Sequence, residues 1–225
     1  MSDITYISES LTETLKEGEL QNVSIDILEA ISDSMLKDGL LKDIPILGTL
    51  VGLTKASSNI RDKLFCKKLI SFLAQLKDVP KEERLKQIQK VQSDKTYRTK
   101  VGEKLLYIID KCEDSEKSEL IAKLFKAFLE EKIDYNDFLR CVSSIDSIPM
   151  PDLFEFIKHP PYKIDIKKGS TFISAGLVAI DQIKPKITEG SNRYSFKKEP
   201  TYKVENTNLT CSITRIGNII IKILQ

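Results

Sequence analysis

The stretch "YRTKVGEKLLYIIDKCEDSEKSELIAKLFKAFLEEK", residues 97–132, decides the fold class. Tyr97, Val101, Leu105, Ile108 and Cys112 recur at intervals of four, four, three and four, which puts them on one stripe of an α-helix. Asp114 then stands where an N-cap belongs, and Leu120, Ile121, Leu124, Phe125 and Phe128 make a second helical stripe. Two amphipathic helices in succession read as part of an all-α assembly.

The pattern continues on both sides. Towards the N-terminus, "VSIDILEAISDSMLK" (23–37) places Ile27, Ile31 and Leu36 at helical spacing, and Gly39 supplies a stop. Pro45 fits the first turn of a helix running to about residue 77. There Leu53, Ile60, Leu64, Leu69, Phe72, Leu73 and Leu76 are expected to form the core face, with Arg61, Lys63, Lys67, Lys68 and Lys77 opposite. Pro80 restarts a helix in "VPKEERLKQIQKV". Beyond residue 132, Asp134 can cap "YNDFLRCVSSID", and Pro151 opens the short helix "PDLFEFIK".

After "HPPYKIDIKKGS" (159–170) the texture changes. A short helix, "STFISAGL", runs into "VAIDQI", and a basic segment, 184–200, follows. Tyr202, Val204, Leu209, Cys211 and Ile213 then alternate as in strands. Thr214 caps a closing helix, "RIGNIIIKIL". The expected architecture is mainly α: a multi-helix domain over 1–148, followed by a winged-helix-like α+β module over 149–225 with a long basic wing.

Composition narrows the function classes. The chain has 225 residues, 41% of them hydrophobic, with 9 Gly and 8 Pro, which is enough apolar content for a sizeable core and excludes global disorder. Net charge is −6 over residues 1–60, +7 over 61–100, −4 over 101–150 and +5 over 151–225. Alternating blocks of this kind suit oppositely charged faces of packed or self-associating helices better than a nucleic-acid footprint. The N-terminus lacks the basic and apolar regions of a signal peptide, and no run reaches the roughly 18 apolar residues of a membrane span. Cys66, Cys112, Cys141 and Cys211 have no CxxC spacing and read as buried thiols in a reducing compartment. The expected location is the cytoplasm.

Chemistry is thinly represented. "EKIDYNDFL" (131–139) has the look of the back half of a calcium loop, but its first and third positions fall on Lys126 and Phe128, which cannot ligate a hard dication. Its sixth position, where a glycine is needed, is Glu131. Asp134 and Asp137 therefore read as first-turn helix acids, and Glu82–Glu83 and Glu130–Glu131 as solvated charge. His159, the sole histidine, precedes two prolines in a connection, and acid–base chemistry and zinc both want a partnered histidine. There is no GxSxG, HExxH or Walker loop. No catalytic residue, metal site or cofactor is expected, and the chain reads as no enzyme.

Two interaction surfaces stand out instead. Residues 44–54 are uncharged and, as a helix, span about 16 Å, roughly half a bilayer core. Gly48 and Gly52 form a small-xxx-small pair that permits close helix approach. Ile46, Leu47, Leu50 and Val51, with Arg61, Lys67 and Lys68 behind them, would contact a protein partner or dip into an anionic membrane surface; burial in the protein's own core is the commoner fate of such a segment. The second surface is the wing, where Lys184, Lys186, Arg193, Lys197 and Lys198 would contact phosphates without reading sequence.

"LKDIPILGTLVGL…IRDKLFCKKLISFL" and "KLFKAFLEEKIDYNDFLR…PDLFEFI…SAGLVA…LTCSITRIG" are similar to blocks recurring in uncharacterised bacterial proteins. The C-terminal half, through Gly176, Thr214 and Gly217, resembles the abortive-infection alpha group, small proteins associated with resistance to phage. That resemblance implies a bacterial setting in phage defence and no catalytic residue. The expected function is that of a non-enzymatic interaction or effector protein working through protein–protein contact, with peripheral membrane insertion of the 44–77 helix as an extension. A DNA-associated regulator using the wing is the alternative.

Overall fold

The computed structural model describes residues 2–17, 20, 23, 44–46, 48–49, 60–94, 100–161, 164–167, 169–181, 186–190, 201–205 and 210–225. The described chain is mainly helical and divides into two compact units, Met1–Asp146 and Ser147–Ile223. Residues 24–37 of the expected 23–37 helix, Gly39 and Tyr97 lie outside the described residues.

In the first unit the described helices are α1 (Ser2–Glu17), α2 (Ile60–Ala74), α3 (Lys81–Ser93), α4 (Val101–Lys111), α5 (Ser115–Leu129) and α6 (Tyr135–Asp146). Helix α5 is the centre, packed against α2, α3 and α6. Its stripe, Leu120, Ile121, Leu124, Phe125 and Phe128, is buried throughout. Phe125 stands 5.7 Å from Phe72 and 5.3 Å from Phe138 between ring centroids, and Phe128 lies 5.3 Å from Tyr135. These tilted rings fill the junction of three helices with the offset geometry that aromatic quadrupoles favour. Local signals set the boundaries. Asp114 accepts the Lys117 amide at 2.8 Å and Asp134 the Asp137 amide at 2.7 Å, satisfying donors that each helix start leaves open.

The start of the chain is tied to this core by α1. Arg84, 3% exposed on α3, donates from its guanidinium to the carbonyls of Thr14 and Leu15 at 3.3 and 2.8 Å and, from Nε, to Val79 at 3.2 Å. A cation on the last carbonyls of α1 satisfies orphan acceptors and opposes the negative end of the helix dipole. Helix α4 crosses α1 at Gly102, a position with no room for a side chain: a Cβ there would overlap Thr12 Oγ1 and come within 2.5 Å of the Ser8 carbonyl. Gly48, by contrast, has none of the described residues within 4 Å of where its Cβ would stand. Gly52 lies outside the described residues.

The second unit contains α7 (Met150–Lys158), β1 (Ile164–Asp165), α8 (Ser170–Ser174), β2 (Val178–Ile180), β3 (Lys186–Gly190), β4 (Thr201–Glu205), β5 (Thr210–Ile213) and α9 (Arg215–Leu224). Strands β1, β5 and β2 form a three-stranded antiparallel sheet in that order, with Cys211 paired to Ile164 on one side and Ile180 on the other. Strands β3 and β4 pair separately, from Lys186 opposite Glu205 to Gly190 opposite Thr201. Three features depart from the sequence reading. The "KIDIK" connection contributes a strand, the basic segment contains another, and the helix at "STFISAGL" stops after five residues.

Phe156 of α7 packs on Phe172 of α8 at 5.2 Å. The sheet and α9 are joined where Gly176 adopts φ 71°, the left-handed conformation glycine tolerates. The Thr214 hydroxyl donates to the Gly176 carbonyl at 2.7 Å and accepts the Gly217 amide at 3.0 Å, while the Thr214 amide donates to the Leu177 carbonyl at 2.9 Å. A Cβ on Gly217 would strike that Leu177 carbonyl. The residues that carried the resemblance, Gly176, Thr214 and Gly217, thus lock one helix start onto the turn before β2.

Candidate interaction surface

Helix α2 is buried along its second half, from Leu69 to Ala74 on every side, but its first two turns are not. Ile60 is 73% exposed and Leu64 57% exposed, flanked by exposed Arg61, Lys63 and Lys67. The helix lengthwise fit explains the change. Lys68 Nζ donates to the carbonyls of Asp110 and Cys112 at 2.6 and 2.9 Å, and the Ser118 hydroxyl donates to the Lys68 carbonyl at 2.8 Å. Lys68 is therefore where α2 passes the C-terminal end of α4 and the first turn of α5. Residues one and two turns earlier project past that junction. Ile60 and Leu64 thus form an aliphatic ridge on α2 with more than half of each residue left exposed.

The ridge has a defined pattern. Ile60, Leu64 and Lys67 stand at i, i+4 and i+7, one stripe of a helix, with Lys63 beside it and Arg61 on the other flank. Cys66, one position around the helix, is buried, and burial, with the Asp62 carboxylate adding to it, pushes its thiol up to about 11. Burial raises Cys112 to about 11 as well, against the opposing pull of the Lys68 and Lys117 ammoniums. All four cysteines are buried and form no disulfide.

The expected contact residues fall into three groups. Ile46 is fully buried and its amide donates to the Thr14 hydroxyl of α1 at 3.0 Å; Ile44 is 2% exposed, and Thr49 exchanges a 2.9 Å hydrogen bond with Ser10. The described part of residues 44–49 therefore sits on α1, and Ile46 belongs to the core instead of to a membrane or partner contact. Lys68 is likewise withdrawn from that surface, because its ammonium is held by two backbone carbonyls. Arg61 and Lys67 are exposed. Leu47, Leu50, Val51, Lys184, Arg193, Lys197 and Lys198 lie outside the described residues, and Lys186 is placed in β3.

Sequence reasoning assigned Ile60 and Leu64 to the core face and so missed the ridge. The signal was present: both fall in the arc shared with Lys63 and Lys67, whereas Leu69, Phe72 and Leu73 do not.

A second cluster sits beside the α5–α6 turn. A cleft of about 310 Å3 is lined by Val91, Phe128, Ile133 and Tyr135 with Glu131 at its edge. Glu131 occupies the left-handed region, φ 57°, at the residue after the helix where glycine is usual. Its amide donates to the Phe128 carbonyl at 3.0 Å and the Lys132 amide to Ala127 at 2.9 Å, the paired bonds of a Schellman turn. The carboxylate binds Lys86 at 2.7 Å and the Gln87 side-chain amide. The hydrogen bond from Lys86 holds the Glu131 carboxyl below the usual range and raises Lys86 in return. Glu131, an exposed charge as expected, also cross-links α3 to the turn, and its left-handed backbone is a helix stop.

Among the described residues no group of three His, Cys, Asp or Glu side chains could hold a metal, and no helix is long and apolar enough to cross a membrane. His159 is exposed at the C-terminal end of α7. Compared with protein-family models, curated proteins and solved structures, the chain matches none.

Proposed function

We propose that the chain is a non-enzymatic interaction protein that engages a protein partner through the projecting start of α2, and that it serves as an effector in bacterial phage defence. The observation that carries the contact is the exposure of Ile60 and Leu64 between Arg61, Lys63 and Lys67 on an otherwise buried helix. Aliphatic side chains at i and i+4 make the ridge that packs into the groove of another helix, and the flanking cations select an acidic partner. The phage-defence setting rests on the resemblance of the C-terminal half.

The test is a plating assay in a phage-sensitive bacterial host. Wild-type chain is expected to lower plating efficiency of at least some phages, and Leu64→Asp to abolish that protection while the protein still accumulates. Protection unchanged in Leu64→Asp would remove α2 from the mechanism, and no protection against a broad panel would remove the setting.

A second reading is favoured by one observation. The second unit runs helix, strand, helix, strand, ribbon, strand, helix, with the sheet order β1-β5-β2, which supports a winged-helix-like module whose wing is the β3–β4 ribbon. Lys186 and Lys203 lie in that ribbon, so phosphate contact through it is the competing function. It requires a duplex gel shift that falls steeply with salt; no shift at low salt rules it out.

A further inference from the structure

We infer that the partner of the α2 ridge is a second copy of this chain, docked through the outer stripe of its α1. The inference rests on the reading of α2 as a contact surface and adds the identity of what covers it. Helix α1 buries Leu11, Thr14 and Leu15 against the bundle and turns Tyr6, Glu9 and Glu13 outwards, at i, i+3 and i+7. Tyr6 is 62% exposed, a large half-apolar side chain at one end of a carboxylate pair. The α1 stripe and the α2 ridge are therefore complementary in both respects that matter: each offers apolar surface, and one is acidic where the other is basic.

Charge also decides which copies can pair. Setting α2 against α2 would bring Arg61, Lys63 and Lys67 onto themselves, and setting α1 against α1 would oppose Glu9 and Glu13; like charges facing across an interface are costly. Only α1 on α2 puts opposite signs together. The nearest internal cation to Glu9 is Lys100 at 3.6 Å, with both side chains 61% exposed, a surface pair weak enough to be shared with an incoming partner. Within one chain, α1 packs on α3 and α4 while α2 packs on α4 and α5, so each copy presents its two stripes on different helices. Such a contact between unlike patches is made twice in a two-fold dimer, α1 on the partner's α2 and the reverse, or once per copy in a ring or an open chain. A lipid surface fits less well. Two aliphatic side chains within about 6 Å of helix length are a packing ridge, short of the continuous apolar face that seats an interfacial helix.

Analytical ultracentrifugation of the full chain at low ionic strength, up to about 1 mM where weak contacts register, provides the test. Wild type is expected to associate with concentration, at least about tenfold more weakly in high salt, where surface charges are screened. Arg61→Glu/Lys67→Glu and Glu9→Lys/Glu13→Lys are each expected to be folded monomers, and an equimolar mixture of the two to recover association. A monomeric wild type, association indifferent to both charge reversals, or a mixture that stays monomeric would each overturn the inference. If wild type is monomeric yet Leu64→Asp still abolishes phage protection, the α2 surface stands and the second copy falls. Flotation of a monomeric chain with anionic vesicles, lost in Arg61→Glu/Lys67→Glu, would transfer the ridge to a membrane.

Discussion

Replacing Gly102 by alanine separates sequence logic from structural logic, because the two give opposite signs. On propensity alone, glycine to alanine within a helix gains up to about 1 kcal/mol. Gly102 is the second residue of α4, where that gain is smaller, and its missing side chain is the space α1 occupies. The new methyl would overlap Thr12 Oγ1, which already donates to the Ser8 carbonyl at 2.8 Å, and would stand 2.5 Å from that same carbonyl. The hydroxyl could rotate away, but the backbone carbonyl cannot. Helices α1 and α4 must then separate, at an overpacking cost of about 1–3 kcal/mol. The expected net is a loss of about 1–2 kcal/mol, or a fall of about 3–8 °C in the melting of the first unit, read by scanning calorimetry. Gly48→Ala is the control: its Cβ meets none of the described residues within 4 Å, so the same substitution should be neutral or mildly stabilising. A Gly102→Ala protein that melts at or above wild type would refute the close approach of α1 and α4.

Other consequences follow from buried groups. Arg84→Met should destabilise the first unit by about 2–4 kcal/mol in urea titrations by leaving the Thr14, Leu15 and Val79 carbonyls without their donor, and Arg84→Lys should recover only part because a lysine cannot fork. Cys66 and Cys112 ionise near 9.0 when unfolded but only at about 11 when folded, so their burial supports the fold below pH 9. That support is lost as pH rises from 9 towards 11, and stability should decline over that interval. In parallel, none of the four thiols should react with a thiol reagent in the native protein, and all four should in denaturant. Thr214→Val should lower the melting of the second unit by removing the cap of α9, at about 1 kcal/mol, whereas Thr214→Ser should keep most of it.

Much of the helical unit was legible in its sequence because its signals are local. Asp114, Asp134 and Thr214 cap where a short polar side chain precedes an apolar run, and the α5 stripe is buried as its spacing requires. What escaped reading depends on where helices cross. Ile60 and Leu64 lie on the arc of Lys63 and Lys67, which the sequence shows, but the burial of that same arc further along at Ser71 depends on how α2 packs beyond Lys68. Lys117 shows the converse, a lysine in a polar-looking stretch that is only 2% exposed. Glu131 is solvent-exposed as read, but its ties to Lys86 and Gln87 escaped reading because those partners lie more than forty residues away. Strands β1 and β3 were missed because two and five residues carry too little alternation to register.

Thermal unfolding of Leu64→Asp beside Leu69→Asp tests most directly whether the start of α2 is a free contact surface. With Leu64 57% exposed, a carboxylate there should leave the melting temperature within about 2 °C of wild type, as for ordinary surface changes. The same change at fully buried Leu69 should abolish the fold. Equal collapse of both variants would place Leu64 in the core and contradict the account.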